Sequence, residues 1–142
     1  MAGCTLQLGP LCGVLRLLAA KGGVERVGHL IGLKEPWGYR VAAYYAVENL
    51  EGSPHGFTAD PLDVIAAHKA AWALGLDVVG VYHTHPCGEP RPSQRDLRGM
   101  RMWPLAWVIG GRGGALAAYR LAGGVVEVCR LSCGGLDQPL QG

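Results

Sequence analysis

The chain has 142 residues, of which 49% are hydrophobic and 17% are charged, so it can bury the core of one domain and disorder is not expected. Its formal net charge of +2 comes without a run of Lys and Arg, which argues against a nucleic-acid surface. No apolar run approaches the roughly 20 residues of a membrane span, so no membrane association is expected either.

The cysteines are spread along the chain without regular spacing, at Cys4, Cys12, Cys87, Cys129 and Cys133. An odd number without a dense pattern favours mostly free, buried thiols over a disulfide framework. The N-terminus also lacks the charged start and the small-residue cleavage site of a signal peptide. Both observations predict a cytoplasmic protein.

The first part of the chain predicts one helix and three extended segments. Residues 6–8 alternate like a short edge strand. Gly9-Pro10 begins a helix, and Lys21-Gly22-Gly23 is expected to end it. Residues 24–34 and 39–47 then predict two strands that are joined by a turn.

A polar loop at 48–56 leads to Asp60-Pro61, which has the capping residue and the proline that favour a helix start. The apolar face of this helix is predicted at Leu62, Ile65, Ala66, Trp72 and Ala73. A strand at 77–85 and a short helix from Ser93 follow, and three further strands are predicted at 104–109, 115–121 and 125–131.

This order of elements predicts a single α/β (or α+β) domain, a sandwich with a central mixed β-sheet flanked by helices. We place the domain at residues 1–131 and expect residues 132–142 to form an irregular C-terminal tail.

Two histidines end the strand at 77–85. Side chains two apart on a strand point to the same side, so His83 and His85 can hold one metal ion. The loop that follows lets the chain double back, which brings Asp96 into reach as a third ligand. Two imidazoles and one carboxylate leave a tetrahedral zinc ion with one open position, which is typical of catalytic rather than structural sites.

Other interpretations of these residues must be weighed. Ser93-x-x-Asp96 is also the pattern of a helix capping box, although that does not explain the two preceding histidines. Zinc-dependent nucleobase deaminases carry His-x-Glu and a later Pro-Cys-x-x-Cys. Here His85 stands where that Glu belongs, and the run from Pro86 lacks the second Cys. Deamination is therefore disfavoured.

The combination of His83-Thr84-His85-Pro86 with Ser93-x-x-Asp96 resembles the signature of the JAMM (MPN+) zinc metallopeptidases. The family's His-x-His-x10-Asp spacing is matched residue for residue. Glu25, which precedes Gly28 and an apolar strand, resembles the upstream glutamate segment of the family. Asp60-Pro61 is similar too, so the resemblance covers most of the chain. It implies a compact prokaryotic member with the cytidine-deaminase-like JAMM architecture.

The resemblance implies a role for each residue of the site. His83, His85 and Asp96 would bind Zn²⁺, and Glu25 would act as the general base. Ser93 would donate a hydrogen bond to the oxyanion of the tetrahedral intermediate. Without the resemblance, Glu25 would be interpreted as a solvated carboxylate near a strand start. The assignment requires the strand at 24–34 to lie beside the strand at 77–85.

The reaction that the resemblance implies is hydrolysis of a peptide or isopeptide bond next to the C-terminal Gly-Gly of a small ubiquitin-like or sulfur-carrier protein. The carrier's tail is expected to bind as an added strand between walls at 48–58 and 86–92. Two alternatives stay open: a metal-free MPN-type scaffold that only binds partners, and a small-molecule amide or peptide hydrolase. A homo-oligomer is possible.

Overall fold

The computed structural model, which describes residues 3–134, contains a mixed β-sheet that closes on itself. Its strands are β1 (Thr5–Gln7), β2 (Val27–Glu35), β3 (Gly38–Val47), β4 (Asp77–Thr84), β5 (Ala106–Gly110), β6 (Leu116–Ala122) and β7 (Val125–Ser132). Their spatial order is β1-β3-β2-β4-β5-β6-β7, and β1 pairs in parallel with both β3 and β7. The α/β class with a mixed sheet is confirmed, while the closure of the sheet was not predicted.

Three α-helices pack on this sheet: α1 (Leu11–Ala20), α2 (Pro61–Ala73) and α3 (Gln94–Met102). The Asp60 side chain accepts a hydrogen bond from the Leu62 N–H at 2.9 Å, as the predicted helix start requires. Gly75, with φ of +72°, follows the end of α2 in the left-handed conformation that glycine favours. Within residues 3–134, none of the helices has the length and apolar character needed to cross a membrane.

The prediction that residues 6–8 form an edge strand was wrong. β1 lies between β3 and β7, and Leu6 is 0% exposed in the main core cluster with Leu15 and Tyr82. β1 has only three residues, so its local sequence gives no sign of the strand that pairs with it on either side. Its alternating pattern therefore resembles that of an edge strand.

The predicted buried face of α2 was also wrong. Leu62, Ile65 and Trp72 are exposed, whereas Ala67 and Ala71 are fully buried. The small alanine side chains let α2 lie close to the sheet, which turns the large apolar side chains towards solvent. Of these three exposed side chains, Ile65 lines a groove between α2 and α3.

Two disulfides correct the prediction of mostly free, buried thiols. Cys4 is bonded to Cys129, and Cys12 is bonded to Cys133, while Cys87 is free and exposed. The physical reason is the pairing of β1 with β7, which brings the two ends of the chain side by side. Sequence separations of 125 and 121 residues hide both pairs from any spacing argument.

The predicted C-terminal tail is only partly described. β7 continues to Ser132, and Cys133 is bonded to α1, so these two residues belong to the folded structure. Residues 135–142 lie outside the described residues. The division of the chain after residue 131 therefore stays a prediction.

We predict that reduction of the two disulfides lowers the free energy of unfolding by roughly 2–4 kcal/mol, because each closes a long loop in the unfolded chain. Urea unfolding with and without dithiothreitol measures the change. Cys87→Ser is the matched control and should leave stability unaltered, since that side chain is exposed and unpaired among the described residues. Alkylation of all five cysteines in the native, unreduced protein would contradict both assignments.

Candidate metal centre and active site

The site forms where β2 begins and β4 ends. The two strands are antiparallel neighbours, and Val27 lies opposite His83. The required adjacency of these two predicted strands is therefore confirmed. β2 begins later than predicted, so Glu25 lies two residues before the strand and not within it. Glu25 is nevertheless buried, with 6% of its surface exposed.

Three side chains converge on one point at the end of β4. The Nε2 atoms of His83 and His85 lie 3.2 Å apart. The carboxylate oxygens of Asp96 lie 2.9 Å from the first of these nitrogens and 3.0 Å from the second. Donor atoms around a tetrahedral zinc ion with bonds of about 2.0–2.1 Å are separated by about 3.3 Å. The donor types and their spacing therefore fit such an ion.

Hydrogen bonds and packing orient the two imidazoles. The Nδ1 of His85 lies 3.0 Å from the Glu89 carbonyl oxygen, so Nδ1–H donates there and Nε2 is left free for a metal ion. His83 is 0% exposed and packs edge-on against Trp107, with ring centroids 5.6 Å apart. Its Nδ1 is buried and has no hydrogen-bond partner within residues 3–134. Apart from the contacts of its Nε2 with Asp96 and His85, packing therefore orients the His83 ring.

Ser93 and Asp96 form a capping box as well as part of the site. The Ser93 Oγ accepts a hydrogen bond from the Asp96 N–H at 3.0 Å, and the Asp96 carboxylate accepts one from the Ser93 N–H at 2.9 Å. Because Oγ only accepts in this box, its own hydrogen stays available as a donor. The cap and the proposed oxyanion contact are therefore compatible.

The electrostatic environment separates the two carboxyl groups. Burial raises the pKa of Glu25 to about 7. Burial acts on Asp96 in the same direction, but close contacts with the His83 and His85 rings in the metal-free protein hold the pKa of that carboxyl well below its usual range. Burial also lowers the pKa of His83, which keeps this imidazole neutral as a ligand must be. Burial lowers the pKa of His85 as well, but its contacts with Asp96 and the Glu89 carbonyl together raise it.

A second cluster of carboxylates is explained by helix capping. Glu48, Asp60 and Asp63 lie close enough to share an ion, but none of them is buried. The Asp63 carboxylate accepts from the Glu48 N–H at 2.8 Å, and Asp60 caps α2. By contrast, the carboxylate of Glu25 lies within 4.8 Å of the ligand nitrogens of both His83 and His85.

Two depressions meet at the site. We call the first the polar cleft; it has a volume of about 330 Å³, and its lining includes Glu25, His85 and Ser93, with Pro54 and His55 on one wall and Cys87, Glu89 and Arg91 on the other. We call the second the apolar groove; it has a volume of about 640 Å³, reaches Asp96, and lies between Phe57, Pro61 and Ile65 on one side and Met102, Trp103 and Trp107 on the other.

Residues 14–122 match the family described as prokaryotic homologues of the JAB domain. The chain belongs to this family. The assignment confirms the resemblance to JAMM/MPN proteins that the histidine motif suggested.

Relatives within the family carry names that describe an activity. A desampylase of Pyrococcus furiosus is 33% identical over 112 residues, which are 79% of this chain and 76% of that protein. A "probable TtuB-protein conjugate cleaving protease" of Thermus thermophilus is 36% identical over 94 residues, or 66% of this chain and 60% of that protein.

Solved structures confirm the architecture. A protein from Desulfitobacterium hafniense superposes with a TM-score of 0.79 at 22% identity, covering 94% of this chain and 95% of its own. A JAB1/MPN domain protein from Archaeoglobus fulgidus superposes with a TM-score of 0.55 at 18% identity, covering 90% and 98%. At these identities the likeness shows the shared fold.

Sequence reasoning missed the residues that join the loop at 48–58 to the site. Arg95 on α3 donates to the Glu51 carboxylate, and also to the Phe57 carbonyl oxygen at 3.0 Å. Asn49 donates to the Glu25 carbonyl oxygen at 2.9 Å. No motif marks these contacts, since each depends on how the loop folds back over the sheet.

We predict that Asp96→Ala lowers the affinity for Zn²⁺ at least about 100-fold, because it removes the carboxylate that touches both histidines. Equilibrium dialysis with metal analysis measures it. Asp63→Ala is the matched control, since it also removes a carboxylate from the first turn of a helix. Equal zinc retention by the wild type and both variants would contradict the predicted ligand set.

Proposed function

We propose that this protein is a zinc-dependent isopeptidase that hydrolyses the bond between the C-terminal Gly-Gly of a small ubiquitin-like or sulfur-carrier protein and an amine. The observation that carries the proposal is the buried Glu25 carboxylate beside the triad of His83, His85 and Asp96. Relatives named for cleaving such conjugates support the choice of substrate. We keep a cytoplasmic location as a prediction, although the two disulfides remove the argument from free thiols on which it partly rested.

In this proposal each residue has one task. Bound Zn²⁺ would supply the nucleophile, because it lowers the pKa of a coordinated water to about 7. His83, His85 and Asp96, whose donor atoms converge, would hold the ion. Glu25 accepts the proton of the attacking water and delivers it to the leaving amine. The Ser93 hydroxyl donates to the developing oxyanion, a contribution of about 3–4 kcal/mol in comparable sites.

The polar cleft suits an extended tail. Its opposite walls come from the segments 48–58 and 86–92, where the sequence predicted them, and its lining includes the proposed base. The apolar groove begins beside Asp96 and exposes large side chains such as Ile65 and Met102. In this proposal the tail occupies the cleft and the folded body of the carrier covers the groove, whose large exposed apolar side chains suit contact with a protein surface.

The two alternatives are distinguishable. A metal-free scaffold does not require His83, His85 and Asp96 to converge, and their 2.9–3.0 Å spacing supports a role as metal ligands. A small-molecule hydrolase would use the same metal ligands but would not depend on a groove that lies outside the reacting centre. Variants in the groove therefore separate this alternative from the proposed function.

We predict that kcat/KM falls as the pH is lowered through the pKa of Glu25, because only the ionised carboxylate can accept a proton. Burial raises this pKa to about 7 in the metal-free protein. The positive charge of zinc acts in the opposite direction, so the acid limb should lie at or below pH 7. Glu25→Gln should retain zinc and lose at least about 100-fold in kcat. A Glu25→Gln variant with wild-type kcat would contradict the role of the base.

We predict that Ile65→Glu raises KM for a carrier–protein conjugate about tenfold, equivalent to roughly 1.4 kcal/mol, while a short peptide bearing Gly-Gly on a lysine is cleaved as before. The new charge lies in the groove and outside the metal centre. Leu74→Glu is the matched control, because Leu74 is also an exposed apolar residue at the end of α2 but does not line the groove. Equal effects on both substrates would contradict docking in the groove.

A further inference from the structure

The backbone that carries Glu25 lies outside the regular pairing of β2 with its neighbours, which begins at Val27. Its polar groups are satisfied in another way. The Glu25 N–H donates to the Ser53 carbonyl oxygen at 2.8 Å, and the Thr84 N–H donates to the Arg26 carbonyl oxygen at 3.0 Å. Two side chains supply the partners for the remaining groups, the Glu25 carbonyl and the Arg26 N–H.

The first of these side chains is Thr84, which stands between the two metal-binding histidines. Its Oγ1 accepts a hydrogen bond from the Arg26 N–H at 2.8 Å. Thr84 is 1% exposed, so the acceptor of this bond is buried, while the donor residue Arg26 is half-buried. Replacement by an apolar side chain would leave the Arg26 N–H without this partner, and an unpaired buried donor is unfavourable.

The second side chain is Asn49, whose amide group uses its full hydrogen-bonding capacity. Its Nδ2 donates to the carbonyl oxygens of Glu25 at 2.9 Å and Gly56 at 3.1 Å. Its Oδ1 accepts from the N–H groups of Glu51 at 3.0 Å and Thr58 at 3.1 Å. Asn49 therefore folds the loop at 48–58 and ties it to the backbone of Glu25.

We propose that Thr84 and Asn49 are positioning residues for the base Glu25, an inference that rests on the proposed function. Both hold the peptide unit that joins Glu25 to Arg26, Asn49 through its carbonyl oxygen and Thr84 through its N–H. The Glu25 carboxylate therefore stays free to accept a proton. Thr84 also joins the base to the strand that carries His83, which couples the placement of base and metal ligands. Proton transfer requires hydrogen-bond reach, and a displacement of about 1 Å can cost about 100-fold in rate.

The test compares Thr84→Val with Thr84→Ser in the zinc-loaded enzyme. Val removes the acceptor at nearly constant shape, whereas Ser keeps the hydroxyl. We expect Thr84→Val to lower kcat at least about tenfold, with KM within about twofold and zinc content unaltered. Thr84→Ser should stay within about threefold of the wild type. A Thr84→Val enzyme with wild-type kcat, or one that fails only by losing zinc, would overturn the inference for Thr84.

Asn49→Ala provides a second variant at a site away from the histidines. Gln7→Ala is its matched control, because it also removes a side-chain amide that accepts a hydrogen bond, here from Arg40 at 3.0 Å, on a strand that does not contact Glu25. We expect Asn49→Ala to lower kcat while Gln7→Ala does not. A wild-type kcat in Asn49→Ala, or equal losses in both variants, would overturn the role of Asn49.

Hydrogen exchange in the metal-free protein gives a readout that needs no substrate. Loss of the Thr84 hydroxyl should accelerate exchange of the Arg26 amide, and Asn49→Ala should accelerate exchange of the Glu25 amide, relative to their controls. A wild-type enzyme that cleaves no carrier conjugate would contradict the proposed function. The exchange rates then decide the positioning inference by themselves, and unchanged rates would overturn it.

Discussion

The site depends on the contact between the beginning of β2 and the end of β4. Arg26 and Thr84, 58 positions apart in sequence, exchange two hydrogen bonds there, one through the Thr84 side chain. β4 is paired on its other side with β5, and the His85 N–H donates to the Gly110 carbonyl oxygen at 2.7 Å. The histidines therefore stand on a strand end that is supported from both sides, and the same support extends to Glu25.

Burial raises the pKa of both carboxyl groups at the site, but close contacts with the two histidines reverse the effect at Asp96. Asp96 is surrounded by donors and stays ionised, while Glu25 is desolvated and has a pKa of about 7. Two carboxyl groups whose pKa values are separated in this way can take different roles at one pH, one as a permanent ligand and the other as a proton carrier. A low dielectric environment also strengthens each polar contact at the centre.

Local signals predicted much of the fold and the convergence of three candidate ligands. Asp60 and Gly75 marked the ends of α2, and the spacing of His83, His85 and Asp96 predicted three side chains that meet in space. The predictions that failed concern features that depend on contacts between parts of the chain far apart in sequence. The pairing of β1 with β7 produced the disulfides, and close approach of two alanines turned the apolar side of α2 outward. The role of Asn49 was hidden for the same reason, since it depends on the path of a loop.

In the proposed site Asp96 is the third metal ligand, and Glu25 is held beside the ion without binding it. A crystal structure of the zinc-loaded protein, with anomalous data collected at the zinc edge, tests this most directly. We predict one zinc ion on His83, His85 and Asp96, with bonds of about 2.0–2.2 Å and a water between the ion and Glu25. A zinc ion bound by Glu25 in place of Asp96 would contradict the account.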